Sequence, residues 1–315
     1  MTADCERVCA VVVTFNRKDM LRMNLDGLRS QVRSVEQILV VNNACTDGTA
    51  AMIRDEFPDV TLLNLNENIG GAGGFNAGML WAYEHGYDWV WCMDDDAIPA
   101  VGCLQELLDP APALGDRPLI LCPKIVHHDT GDLQLFHHKQ ITADLVDRPL
   151  AQELMQHAVV RIDANGFVGP LVNRAAIEIY GLPIREYFYQ ADDLEYTYRL
   201  GAHGGCYLVT GAVIFHNDKT GAVSERKLYY WRRNYTHFVR LNSHRRHFSP
   251  VQRWWVFARE ALVSLYYSLA LIKNYAQGYR GGFLGPVRGY VDAFFMPLDH
   301  PSSSLPTSAE RPGAT

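Results

Sequence analysis

The chain is predicted to be an α/β protein with a largely parallel central sheet flanked by helices, on three observations. Apolar runs of strand length alternate with helical segments over residues 8–93. The first, second and fourth runs each end in polar residues rather than in a hairpin turn. Three consecutive carboxylates, Asp94, Asp95 and Asp96, close the fourth run. Strands joined through helices must run parallel, with both sheet faces covered, and ligands bind at the carboxyl ends of such strands.

The first strand is Val8–Val13, ending in Thr14-Phe15-Asn16-Arg17. Met20, Leu21, Leu25 and Leu28 recur at helical spacing up to about Val32. Gln37–Val41 is the second strand, ending in Asn42-Asn43. Thr46-Asp47-Gly48-Thr49 caps a helix to about Phe57, because Thr and Asp accept hydrogen bonds from free first-turn amides. Val60–Leu65 is the third strand. A glycine-rich loop, Asn68–Gly74, then leads into a helix from about Phe75 to His85. Trp89–Met93 is the fourth strand, broken by Ala97-Ile98-Pro99.

The middle is less regular. Pro118–Pro123 and Gly205–Val209 read as strands, Ala164–Val172 as an apolar segment, and Asp192–Ala202 as a helix. From Lys227 the pattern is helical, with Trp254, Ala258, Ala261, Leu265, Leu269 and Ile272 at three- and four-residue steps. Arg259 and Glu260 interrupt that stretch and argue against a membrane-spanning helix. The expected organisation is a catalytic domain over 1–222, a helical C-terminal region over 223–299, and a disordered Pro- and Ser-rich tail over 300–315.

Composition excludes several classes. A hydrophobic content of 48% with 20% charged residues suits a globular enzyme and not a disordered chain. Seven scattered cysteines, an odd number without a CxxC pair, suit reduced cytoplasmic thiols. No start-of-chain signal peptide is visible, since Val8–Val13 is only strand length. The net charge of −6 divides unevenly: Glu225–Tyr290 carries +10 and the remainder −16. That basic, aromatic region suits peripheral contact with an anionic membrane or a phosphate-bearing partner. It matches no nucleic-acid recognition module.

The aspartate triplet needs a compensating cation, and hard oxygen ligands suit Mg²⁺ or Mn²⁺, which would in turn hold a pyrophosphate. Asn68-Ile69-Gly70-Gly71-Ala72-Gly73-Gly74-Phe75-Asn76 follows the third strand, so it is not a dinucleotide fingerprint. Its glycines are assigned to close backbone approach to a nucleotide or sugar. Asp192 and Asp193 follow an aromatic stretch, Tyr187-Phe188-Tyr189. Either could cap the helix that starts there, or act as a general base whose pKa is raised by desolvation. His216, at the end of an apolar run, is a candidate metal ligand.

Taken in order, these motifs resemble family 2 glycosyltransferases of the GT-A fold over roughly Val8–His216. They are VVVTFNR (Val11–Arg17), VVNNACTDGT (Val40–Thr49), NIGGAGGFNAG (Asn68–Gly78), MDDDA (Met93–Ala97) and YQADDLEYTYRL (Tyr189–Leu200). Tyr229–Asn234 adds the YYxxRN segment of the galactofuranosyl- and rhamnosyltransferase branch. The resemblance implies a Rossmann-like nucleotide-binding half and a metal-dependent, inverting transfer in cell-surface polysaccharide synthesis. The donor would be a UDP- or dTDP-linked sugar, and the acceptor a glycan or polyprenyl-diphosphate-linked glycan.

By the same resemblance Thr14, Phe15, Asn16, Arg17 and Asn43 would line the nucleotide, with Asn68, Gly70, Gly71, Gly74 and Asn76 nearby. Asp94 and Asp95 would meet the ribose and diphosphate, and Asp96, Asp94 and His216 would hold Mn²⁺ or Mg²⁺. Asp193 would be the base, with Asp192 as the neighbouring alternative. Asn43 stands where many relatives have an acidic residue, which leaves uridine or thymidine open. A sugar-nucleotide nucleotidyltransferase, or a non-catalytic nucleotide-sugar-binding subunit, is the alternative reading. The expected location is the cytoplasm or the inner face of the cell membrane.

Overall fold

A computed structural model describes residues 6–114, 119–217, 224–276, 282–298 and 305. The first half places β1 (Val8–Thr14), α1 (Lys18–Arg29), β2 (Gln37–Asn42), α2 (Thr49–Glu56), β3 (Thr61–Asn64), α3 (Gly70–Glu84) and β4 (Trp89–Asp94). The four strands are parallel in the order β3-β2-β1-β4. Every residue of β1 is buried, because its side chains alternate between two covered faces. Val8, Ala10 and Val12 join Leu21, Leu25 and Leu28 of α1, whereas Cys9, Val11 and Val13 join Phe75 and Met79 of α3.

The chain continues through β5 (Ala97–Pro99), α4 (Cys103–Leu108), β6 (Ile120–His127), β7 (His138–Ile141), β8 (Asp147–Pro149), β9 (Val159–Ile162), β10 (Ala164–Asn165) and β11 (Val168–Asn173). Then come α5 (Arg174–Tyr180), α6 (Asp192–Gly204) and β12 (Cys206–His216). Strand β11 inserts antiparallel between β4 and β6 and extends the sheet to β12 and β5, while β9 pairs with β12. A second sheet, β10-β7-β8, stands apart. Ala97–Pro99, expected only to break β4, forms a short strand that pairs with Ile214–His216. Strand β12 absorbs two segments that read separately, Gly205–Val209 and Ala212–Phe215, through a bulge between Val209 and Val213.

The glycine-rich segment is a correction. It forms the first turns of α3, not a loop; Gly74 serves helix–sheet packing, while Gly70 and Gly71 line the cleft described below. A β-carbon at Gly74 would stand 2.6 Å from Val13 Cγ1 on β1. Gly70, at φ +77°, opens the helix where a side chain would collide with the Phe188 carbonyl. Close approach outweighs the poor helix propensity of glycine here.

The C-terminal residues form α7 (Glu225–Arg245), α8 (Pro250–Ala276) and α9 (Gly285–Asp292). Tyr235, Phe238 and Val239 of α7 and Val256 of α8 share one apolar cluster with Ile141, Ala164, Leu194 and Tyr198. The basic residues of this region largely serve internal bonds. Arg232 pairs with buried Glu260, Arg259 pairs with Glu260 and Asp144, and Arg240 donates to the carbonyls of Ala293 and Met296. The Arg259-Glu260 pair does not break the helix. Glu260 is turned inward, and Pro250–Lys273 is long and apolar enough to cross a membrane, with 28% of that window buried in the protein. The boundary expected at 222 and, apart from Leu305, the tail over 300–315 lie outside the described residues.

Candidate active site

The parallel strands deliver three chain segments to one rim. Val13 of β1 is in register with Asp94 of β4, and Thr14 with Asn42 of β2. Above this rim is a cleft of about 710 Å³. Thr14, Phe15, Arg17, Asn43, Asn68, Gly70 and Gly71 line it, together with Asp94, Asp95 and Asp96, Asp192 and Asp193, and His216. Two acidic clusters distant in sequence therefore face one space.

The triplet is partly compensated within the chain. Arg17 donates to Asp95 Oδ1 at 2.9 Å and to Asp96 Oδ2 at 2.6 Å, and Thr14 Oγ1 donates to Asp95 Oδ2 at 2.8 Å. The cation inferred from the triplet is thus in part Arg17. Burial pushes Asp95 up to about 6 against the pull of Arg17. Burial also acts to raise Asp96, but the His216 hydrogen bond and charge, with Arg17, hold it below the ordinary carboxylate range. Asp94 rises well above that range, through burial first and then the charges of Asp96, Asp95, Asp192 and Asp193.

His216 sits at the end of β12 with Nε2 3.5 Å from Asp96 Oδ1. Its Nδ1 is 2.9 Å from Gln134 Oε1. A carbonyl oxygen only accepts, so Nδ1 carries the proton and Nε2 faces Asp96. His137 meets the His216 ring edge-on at 5.0 Å, and its buried Nε2 has no hydrogen-bond partner. Among the described residues no group of three or more His, Cys, Asp or Glu side chains converges as a metal cage.

Opposite the triplet, Asp192 and Asp193 open α6. The cap residue is Ala191, at φ 59° and without a side-chain bond, so neither aspartate is the N-cap. Asp193 Oδ1 accepts from the Leu194 amide at 2.7 Å. Burial raises Asp193, and burial together with the Asp193 charge pushes Asp192 up to about 8. Asp192 is 8% exposed, and Asp193 is the more accessible of the two.

The loop before them is held in an unusual shape. Phe188, Gln190 and Ala191 all have positive φ, a conformation that costs non-glycine residues energy and needs outside support. The support is Asn234 of α7, whose Nδ2 donates to the carbonyls of Tyr187, Tyr189 and Gln190 at 2.9, 3.0 and 2.7 Å. Arg233 adds bonds to the carbonyls of Glu186 and Tyr187. The YYxxRN segment thus positions the second acidic cluster.

Some expected residues stand away from the cleft. Asn16 Oδ1 accepts from the Thr46 amide at 2.7 Å and holds the loop beside it. Asn76 Nδ2 donates to the Pro183 carbonyl at 2.7 Å, and Gly74 faces β1. Asn43 reaches the cleft, but Oδ1 accepts from the Ile69 amide and Nδ2 donates to the Gly70 carbonyl, which orders the start of α3. Sequence reasoning missed Gln134, the Lys139–Asp147 ion pair at 2.9 Å, and Trp231 with Tyr235. The last two could have been found, since they are aromatic, four residues apart, and lie in or directly after the YYxxRN segment.

Residues 9–169 match the family model described as glycosyl transferase family 2. The chain is 32% identical over 206 residues to galactofuranosyltransferase GlfT1 of Mycolicibacterium smegmatis, covering 63% of this chain and 67% of that one. It is 34% identical over 106 residues to undecaprenyl-phosphate mannosyltransferase of Micrococcus luteus, 33% of this chain and 43% of that protein. Among solved structures it resembles GalNAc-T7, crystallised with UDP, GalNAc and Mn²⁺, at a TM-score of 0.62 and 13% identity. That likeness covers 93% of this chain and 55% of that one.

Proposed function

Given that the chain belongs to glycosyl transferase family 2, we propose that it transfers galactofuranose, with rhamnose as the second choice, from a nucleotide-diphospho-sugar to an acceptor hydroxyl with inversion. The protein is a glycosyltransferase, and the similarity to a galactofuranosyltransferase favours that sugar. The similarity to an undecaprenyl-phosphate mannosyltransferase favours a polyprenyl-linked acceptor, and the GalNAc-T7 structure with UDP favours uridine.

The observation that carries the proposal is the pair of acidic clusters facing one cleft, one ion-paired to Arg17 and one in no ion pair among the described residues. Thr14 and Arg17 hold Asp95 so that Asp94 and Asp95 line the donor side. Asp193, accessible and raised by burial, takes the proton from the acceptor hydroxyl as that oxygen attacks the anomeric carbon. The bond from that carbon to the diphosphate oxygen breaks, and the nucleoside diphosphate leaves with the electron pair. One base and no covalent nucleophile suffice for this displacement.

Asp96 and His216 fit the divalent cation that the family implies. A hard carboxylate stands beside an imidazole nitrogen whose opposite nitrogen is fixed by Gln134. When bound there, Mn²⁺ or Mg²⁺ would neutralise charge developing on the departing diphosphate.

The test is a donor screen in Mn²⁺ buffer with UDP-galactofuranose, dTDP-rhamnose, UDP-galactose and UDP-glucose, read by hydrolysis and by thermal shift. UDP-galactofuranose should raise the melting temperature and be turned over, and Asp96→Ala should abolish turnover. A response only to dTDP-rhamnose reassigns the sugar. No response to any of the four overturns the donor class.

A further inference from the structure

We infer that the outward face of α8 is a lipid-binding face, and that the helix lies in the plane of an anionic membrane surface rather than crossing it. Val251, Trp254, Leu262, Leu265, Leu269 and Ile272 are all exposed and recur at three-, four- and eight-residue steps, with Trp255 and Tyr266 beside them. Successive steps of this kind keep side chains on one side of a helix. The stripe carries no charge over its length, and Trp254 and Trp255 are 63% and 64% exposed. A soluble monomer seldom leaves so long an apolar surface uncovered.

Charge identifies what covers it. Between Arg226 and Val291 the sequence contains one acidic residue, Glu260, and it is 2% exposed. The stripe is preceded by exposed Arg245 and Arg246, which also reach Glu195 and Tyr198, and Lys273 stands exposed at its far end. An uncharged aromatic and aliphatic face bordered by cations complements acyl chains beneath anionic headgroups.

The inner side of α8 argues against spanning. Glu260 pairs there with Arg232 of α7, and Ser264 Oγ accepts from Arg232 Nε at 2.9 Å. Tyr267 contacts Trp231 edge-on at 5.1 Å. Withdrawing α8 to cross a bilayer would strip a buried ion pair of its partner, which is strongly unfavourable. Trp231 also lines the cleft, so one helix layer, about 8–10 Å between axes, separates the lipid face from the site.

The lipid face does not depend on the transfer reaction and can be tested without donor or acceptor. The full chain should float with phosphatidylcholine/phosphatidylglycerol vesicles, with part of the binding surviving ~1 M salt, where charge attraction is screened beyond ~3 Å. Brominated lipids should quench tryptophan fluorescence at shallow depth. Leu262→Glu/Leu265→Glu should lower the vesicle partition coefficient on the order of 10²-fold, as two leucines no longer enter the acyl region. Its melting temperature and its thermal shift with donor should match the parent. If that variant fails to fold, quenching of the unaltered chain by brominated lipid decides. Absence of flotation and quenching overturns the inference. So does binding abolished by salt and unchanged by the double substitution, or a lipid-free dimer that the substitution dissociates.

Discussion

Asp95 and Asp96 form the turn between β4 and β5, and Arg17 and His216 stand against them. Asp192 and Asp193 instead begin a helix after a loop of positive φ angles, with no ion pair among the described residues. Arg17, with His216, holds Asp96 ionised, whereas burial without a partner drives Asp192 toward its neutral form. Preserved charge suits a site that grips a diphosphate and its cation. A carboxyl that gains from a proton suits one that must receive it. The two clusters are chemically alike, and their surroundings shift the Asp96 and Asp192 carboxyls in opposite directions.

The largest effect should come from removing the proposed proton acceptor. Asp193→Asn is nearly isosteric and should keep donor affinity while kcat falls ~10²–10⁴-fold, measured by steady-state turnover beside calorimetric donor binding. If Asp192→Asn shows that profile and Asp193→Asn does not, the roles within the pair are exchanged. The contrast between the clusters would survive that exchange. A normal kcat in both variants would remove it.

Asn234→Ala tests whether loop shape separates the clusters. Three carbonyls lose one common donor, so the loop should relax and the aspartates should shift, with kcat falling about 10²-fold. Donor binding at the triplet should hardly change. An equal loss of donor affinity would show that the two sides are not separable.

The last expectation concerns stability, where a single pH unit moves less free energy than either substitution moves in turnover. Asp192 has its pKa raised in the fold from 3.8 to about 8, so the folded state keeps a proton that the unfolded chain has lost. Its contribution is therefore complete below about pH 4 and falls as pH rises toward 8. Within that window the loss approaches ~1.4 kcal/mol per pH unit. Melting temperature against pH should slope downward, and Asp192→Asn should flatten the slope. An unchanged slope would place the titration on Asp94 instead.

How far the sequence revealed this depends on whether a residue acts locally. The strands β1, β2 and β4 were legible because a strand buried on both faces must be apolar throughout. The triplet was legible because strand ends in such sheets are where ligands meet. The start of α3 was not, since four glycines in five positions argue against a helix. Only the nearness of Val13 and Phe188, unseen in the local sequence, reverses that preference. Arg17 was placed at the cleft by resemblance, but its bridging of two aspartates depends on register between β1 and β4. Gln134 and His216 are 82 residues apart, and nothing local signals their bond.

The Asn234 clamp also bears on the order in which the protein matures. Synthesis delivers both acidic clusters well before α7, and the strained Phe188–Ala191 loop has little reason to hold its shape until that helix docks. A nascent chain can therefore assemble its parallel sheet before Asp192 and Asp193 are held in place. On the proposed function, competence arrives only with the helical layer that carries Asn234.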